Sequence, residues 1–285
     1  MRNTVKISVA VAAVTAVTFG AAACSAPSDV PSGGEKSGKN APLVIAASPT
    51  PHAAILDFVK AKLADKEGLK LEVRPFSDYT QPNQVTEDGQ VDANFFQHKP
   101  FLDQYNKKNG GHIVPVVNVV IEPLGLYSKK IDKLSGLKSG ATVAIPNDPS
   151  NEGRALKLLA DNHVITLKPG VGSNAKLTDV ADAKGIKFTE MEAPQIAPHV
   201  DEVDAAVING NFALGARLKP SQDAIALEKT KDNPYANFLA VKKGKENDPR
   251  IKKLAKLLNS DEVKKFISDK YQDGSVIPAF GPVRG

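Results

Sequence analysis

The sequence predicts an α/β fold of two lobes with a ligand cleft between them, and three observations carry that expectation. Short β-branched runs alternate with amphipathic helical runs from residue 43 to residue 109, the rhythm of a parallel sheet covered on both faces. The rhythm breaks over 113–129, an extended Val-rich stretch interrupted by Pro115 and by Glu122-Pro123-Leu124-Gly125, and then resumes, as expected if the chain crosses to a second lobe. Polar and aromatic residues gather just past the predicted strands, among them Tyr79, Gln97, His98, Asn209 and Asn211. That is where α/β sheets hold their ligands.

In order, residues 1–23 read as an export signal. Arg2 and Lys6 supply a positive start, 7–19 is an apolar run too short to span a bilayer, and Gly20-Ala21-Ala22-Ala23 offers small residues before Cys24. A lone Cys in that place resembles a bacterial lipobox, with Ala21 where Leu is usual, so Cys24 is expected to carry lipid. Residues 25–40, rich in Ser, Gly, Pro and Lys, read as a flexible tether. Strands are expected at 43–47, 69–76 and 91–96, and helices at 53–66 and 97–108, each stopped by glycine at Gly68 or Gly110. The second lobe takes up Tyr127, 142–146, 185–191 and 204–208 as strands. Residues 224–227 and 237–241 lead back, and two helices follow, one begun by Asp248-Pro249 and one capped by Ser260. The expected division is therefore 42–122 and 223–285 for lobe I and 123–222 for lobe II, with 24–41 as lipidated Cys and tether.

Bulk composition narrows the function. The chain of 285 residues is 41% hydrophobic and 24% charged, an ordinary globular balance. Its net charge of +5 is spread out, without the aromatic-interleaved basic patch of a nucleic-acid binder. A single cysteine excludes an internal disulfide and a multi-Cys metal cluster. The five histidines never fall at i, i+4 spacing, and a metal site would have to be assembled from distant His52, His98, Glu122 and Asp148. No nucleophile elbow, zinc helix or phosphate loop is present, so neither metal nor cofactor is expected and the chemistry on offer is recognition, not turnover.

The stretch Pro146-Asn147-Asp148-Pro149-Ser150-Asn151-Glu152-Gly153-Arg154 carries the sharpest signal. It turns a strand into a helix, with Asp148 or Ser150 as N-cap. Arg154 then places a cation against the helix dipole, and Gly153 beside it costs about 1 kcal/mol against Ala. Two locally unfavourable choices side by side point to a reason outside local structure. One reading is a socket in which a guanidinium holds a ligand carboxylate bidentately. The other is a surface Arg paired with Glu152 or a neighbouring carboxylate.

At this point the residues resemble a known family. Phe76-Ser77-Asp78-Tyr79, the stretch 92–102, Glu122-Pro123-Leu124-Gly125-Leu126-Tyr127 with 128–130, the stretch 146–156, Glu192-Ala193-Pro194-Gln195, Ala206-Val207-Ile208-Asn209 and Pro234-Tyr235-Ala236-Asn237 are similar to the NlpA lipoproteins, the substrate-binding proteins of methionine ABC importers. The resemblance runs from residue 43 to 280. It implies a periplasmic-binding-protein-like fold of two α/β lobes joined by two crossovers, a lipid anchor at the extracytoplasmic face of the membrane, and delivery of L-methionine to two membrane subunits with two ATPases. D-methionine or a methionine-containing dipeptide is the alternative ligand. It further implies that Arg154 holds the ligand carboxylate, that Asn209 and Asn237 hold its polar end, and that Tyr79, His98 and Phe101 wall its thioether. Asn151 sits as the family has it, and Phe101 stands where Tyr is more frequent.

Overall fold

The computed structural model describes residues 41–283; the expected signal, Cys24 and most of the tether lie outside them. The first sheet is built from β1 (Leu43–Ala47), β2 (Leu71–Pro75), β3 (Ala93–His98), β4 (Ile113–Ile121), β12 (Asn237–Lys242) and β13 (Ile277–Gly281). The second comprises β5 (Gly125–Tyr127), β6 (Thr142–Pro146), β9 (Lys187–Met191), β10 (Ala205–Ile208) and β11 (Ala224–Leu227). A small hairpin, β7 (Thr166–Leu167) with β8 (Val180–Asp182), stands apart. The helices are α1 (Ala54–Lys62), α2 (Gln81–Glu87), α3 (Lys99–Asn109), α4 (Pro149–Asp161), α5 (Ala193–Ile196), α6 (Gly210–Gly215), α7 (Pro220–Asp223), α8 (Pro249–Leu258) and α9 (Asp261–Lys270).

The strand order is β13-β4-β12-β3-β1-β2 in one sheet and β11-β5-β10-β6-β9 in the other. Strands linked by helices are parallel, β1 to β2 and β3, and β6 to β9 and β10. Strands that arrive from the other sheet run antiparallel: β5 against β10, and β12 against β3 and β4. A wholly parallel sheet is thus what the sequence rhythm predicts only for the βα repeats. A strand entering by a crossing is not bound by the helix-linked crossover rule.

Alternation along each strand sorts side chains to two covered faces. Val143, Ile145, Ala205 and Val207 pack with Leu156 and Leu159 of α4, whereas Ala144, Ala206 and Ile208 pack with Ile196 of α5 and Ala213 of α6. On the first sheet, Ile45, Phe95, Leu239 and Val241 meet Ile55 and Val59 of α1, Leu254 of α8 and Ile267 of α9.

Several boundaries differ from expectation for local reasons. β3 runs on through Gln97 and His98, because both side chains find buried partners, and His98 becomes the N-cap of α3. Residues 81–87 form a helix that apolar spacing does not announce, since its buried face is polar, Asn83 and Thr86. Residues 224–227, assigned to lobe I from the sequence, pair antiparallel with β5 and belong to the second sheet. The run is too short to reveal its partner, and β5 offers it an edge. The return crossing therefore lies after Leu227.

Candidate ligand-binding site

The carboxyl ends of the strands and the two crossings converge on one small cavity. Tyr79 reaches it from the β2–α2 connection, His98 from the end of β3, Phe101 from α3, Asn151 and Arg154 from α4, Asn209 from the end of β10 and Asn237 from the start of β12. All seven residues singled out from the sequence therefore line one cavity. Glu122, Asn211 and Phe96 line it as well.

One side is made by a chain of hydrogen bonds that starts at a helix cap. The Asp148 carboxylate accepts from the Asn151 backbone N–H at 3.0 Å and from Asn151 Nδ2 at 2.9 Å. The carbonyl end of Asn151 is thereby turned outward, where it accepts from Asn209 Nδ2 at 2.9 Å and lies 3.3 Å from His98 Nε2. His98 Nδ1 accepts from the Phe101 N–H, so Nε2 carries the ring proton. Burial first, and then the Arg154 charge, lower the His98 pKa from 6.5 to about 3, and the ring is neutral. Gly210 presses against Glu122 so closely that a Cβ would meet the Glu122 Cβ at 2.7 Å, which keeps Asn209 beside that carboxylate.

The consequence is a set of acceptors with nothing to accept. Asn209 and Asn237 spend their N–H groups on Asn151 and on Glu122 Oε1, leaving Asn209 Oδ1, Asn237 Oδ1 and Glu122 Oε2 buried without a partner among the described residues. His52 Nε2 lies 3.1 Å from Glu122 Oε1 but is not aligned as a hydrogen bond. Buried acceptors in such a state are costly, of the order of 1–3 kcal/mol each, unless a donor arrives.

Arg154 stands otherwise than its sequence context implies. It sits in the second turn of α4, not the first, and it is 4% exposed. Its Nε and Nη2 donate to the two oxygens of Glu228 at 2.9 and 2.5 Å, Nη2 also donates to the Glu122 carbonyl at 3.0 Å, and the guanidinium lies 4.2 Å over the Tyr235 ring. Nη1 makes no hydrogen bond among the described residues. Burial alone would lower the Arg154 pKa; the Glu228 carboxylate reverses that and leaves it raised. The pairing with a carboxylate is real, but the partner is Glu228, not Glu152. Glu152 instead accepts from the Leu177 N–H at 2.8 Å. Gly153 has its reason in packing, since a Cβ there would collide with the Ser173 carbonyl oxygen.

The remaining wall is aromatic. Tyr79 is within 6 Å of Phe96, Phe101 and Phe212, at 5.9, 5.7 and 4.9 Å between centroids. Its hydroxyl donates to Asn211 Oδ1 at 2.5 Å, tying the first sheet's loop to α6, and burial foremost raises its pKa. Sequence reasoning placed Asn211 past a strand without giving it a role, named Glu122 only in a distant metal set, and did not assign Tyr235 or Glu228 to the site. A lone acid directly after the buried run ending at Ile121 was a usable signal for Glu122. Nothing local marks Glu228, which gains its partner only through the fold.

Comparison with known proteins agrees with this architecture. The NlpA lipoprotein family profile matches residues 43–280. The methionine-binding lipoprotein MetQ of Bacillus subtilis (strain 168) is 41% identical over 251 residues, 86% of this chain and 90% of that one. The D-methionine-binding lipoprotein MetQ of Escherichia coli (strain K12) is 40% identical over 215 residues, 74% of this chain and 79% of that one. Among solved structures, a nutrient-binding protein from Burkholderia cenocepacia bound to methionine superposes with a TM-score of 0.80 at 43% identity, covering 84% of this chain and 100% of its own. A periplasmic substrate-binding protein of an ABC transporter from Coxiella burnetii gives a TM-score of 0.78 at 39% identity, over 83% of this chain and 100% of its own. The fold is that of a periplasmic binding protein, and the chain belongs to the NlpA lipoprotein family.

Proposed function

We propose that this protein captures L-methionine in the cavity between its two sheets and delivers it to the membrane subunits and ATPases of an ABC importer, held at the extracytoplasmic face of the cell membrane by lipid on Cys24. The observation that carries the reading is the trio of unpartnered acceptors, Glu122 Oε2, Asn209 Oδ1 and Asn237 Oδ1, in the cavity that Arg154 also lines. Three acceptors suit the three N–H donors of an α-ammonium group, and Arg154 Nη1 is the donor left for the α-carboxylate. Tyr79, Phe96, Phe101 and His98 offer ring faces to the thioether, each contact worth about 0.3–1.5 kcal/mol. Relatives named for methionine or D-methionine binding, and a neighbour whose structure holds methionine, support methionine as the ligand without separating its enantiomers.

In this reading the protein binds and releases without catalysing a reaction. Lobe I comprises the first sheet and lobe II the second, and closure brings Tyr79 to Asn211 and His98 to Asn151. The test is calorimetric titration of protein stripped of ligand by unfolding and refolding, with L-methionine, D-methionine and a methionine-containing dipeptide. L-methionine is expected to bind most tightly, with one site. Folded, stripped protein that gives no heat with L-methionine overturns the proposal.

A further inference from the structure

Arg154 has its carboxylate already. Glu228 takes Nε and Nη2 side by side, a two-donor face with which a guanidinium grips a carboxylate bidentately. Glu228 is held in turn. Its Oε2 accepts from the Leu124 N–H at 3.2 Å, and its own N–H donates to the Leu124 carbonyl at 2.9 Å. Arg154 Nη2 reaches the Glu122 carbonyl on that same crossing. The guanidinium is thus fixed to both segments that join the sheets, and one terminal nitrogen, Nη1 with its two N–H bonds, is left for a ligand.

The other pole is charged the opposite way. Glu122 is 4% exposed, and no guanidinium or ammonium lies within ion-pair distance of it among the described residues. Its nearest basic group is the poorly aligned His52 ring. Across the cavity the neutral His98 adds no positive charge. One guanidinium thus faces two carboxylates, and the unbalanced one lies among the unpartnered amide oxygens.

We propose that Glu228 is a specificity-determining residue: as resident counter-ion of Arg154 it demotes the ligand's carboxylate, so that the site selects thioethers bearing a free primary ammonium whether or not they bear a carboxylate. The inference rests on the methionine reading above and deepens it. Glu228 does not touch the ligand; it acts through Arg154.

Two fragments of methionine separate the poles: methylthiopropylamine, which lacks the carboxylate, and methylthiobutanoate, which lacks the amine. Wild type is expected to bind the amine at least about tenfold more tightly than the acid, one decade of affinity being 1.4 kcal/mol. In Glu228→Gln the amide keeps an acceptor for Leu124 but gives up the charge, so the amine-to-acid ratio should fall by about tenfold or more. A residue that merely holds the fold would weaken both fragments alike. Glu228→Asp, which withdraws the carboxylate by one methylene, should move the ratio the same way by less and covers the case in which the Gln variant does not fold. An unchanged ratio in a folded variant, or a wild type that prefers the acid, overturns the proposal while leaving methionine binding intact. A wild type that binds neither methionine nor either fragment overturns the methionine reading and this inference with it.

Discussion

Two buried polar clusters lie close together in this protein, and they differ in whether their hydrogen bonds close. Beneath α2, Asn83, Thr86, Asn94 and Gln97 form a closed set: each side-chain amide nitrogen donates and each oxygen accepts, at 2.7–3.1 Å. In the cavity, Glu122, Asn209 and Asn237 form an open set, whose nitrogens are satisfied and whose outward oxygens are not. Both sets are buried and rich in amides, and the open one adds a carboxylate. What separates scaffold from site is whether the hydrogen-bond inventory closes without a guest. A closed network specifies how α2 sits on its sheet, and an open one leaves energy that a ligand can collect.

The comparison is broken most directly at Glu122. Glu122→Gln should weaken methionine binding by about a hundredfold to a few thousandfold, the range for removing one partner of a buried charge pair, with the fold retained. Retained affinity by calorimetry would place the ammonium elsewhere. Arg154→Ala comes next and should act on both properties. It removes Nη1 from the ligand and strands Glu228, which is 14% exposed, so the folded state should lose about 3 kcal/mol in a urea melt. The sequence alone leads to little change in stability or a small gain, because a cation leaving a first helical turn is favourable; Glu228 and the actual helix start reverse it. Asn94→Ala, in the closed set, should cost about 1–3 kcal/mol of stability while methionine affinity stays within about threefold. An equal loss of affinity there would erase the distinction between the clusters.

His98 sharpens it through pH. Between pH 6.5 and about 3 the unfolded chain binds a proton at His98 that the native chain refuses. Stability must therefore fall as pH falls through that window and stay flat, for this group, above it. At pH 5 the loss is about 2 kcal/mol. His98→Asn, which can still cap α3, should lose that much less between pH 7 and pH 5 than wild type in paired thermal melts. The smallest effect is expected from Tyr79→Phe. The ring contacts remain and only the bond to Asn211 goes, so methionine affinity should drop by less than about tenfold.

Much of this was legible in the sequence, for reasons that can be named. Strand and helix rhythm gives the βα repeats, and Asp148, Asp248 and Ser260 mark helix starts that the structure realises as N-caps. Arg154 is conspicuous because it and Gly153 are poor local choices. What could not be read is whatever depends on a partner distant in the chain. Glu228 meets Arg154 across 74 residues, and Asn237 meets Glu122 across 115. Helix α2 hides because its core face is amide and hydroxyl, so no apolar spacing appears, and β11 hides its sheet because four residues carry no address.

The pairing of the two crossings has a mechanical side. β5 and β11 align Leu126 with Ala226 and Gly125 with Leu227, and the Glu228 N–H to Leu124 carbonyl bond carries that ladder into the crossings themselves. The joint is therefore a two-stranded ribbon, stiff against sliding in its own plane and compliant to bending and twisting. Any opening of the sheets must bend or twist this ribbon. The bridges from Tyr79 to Asn211 and from His98 to Asn151 both lie on the cleft that such a motion would open.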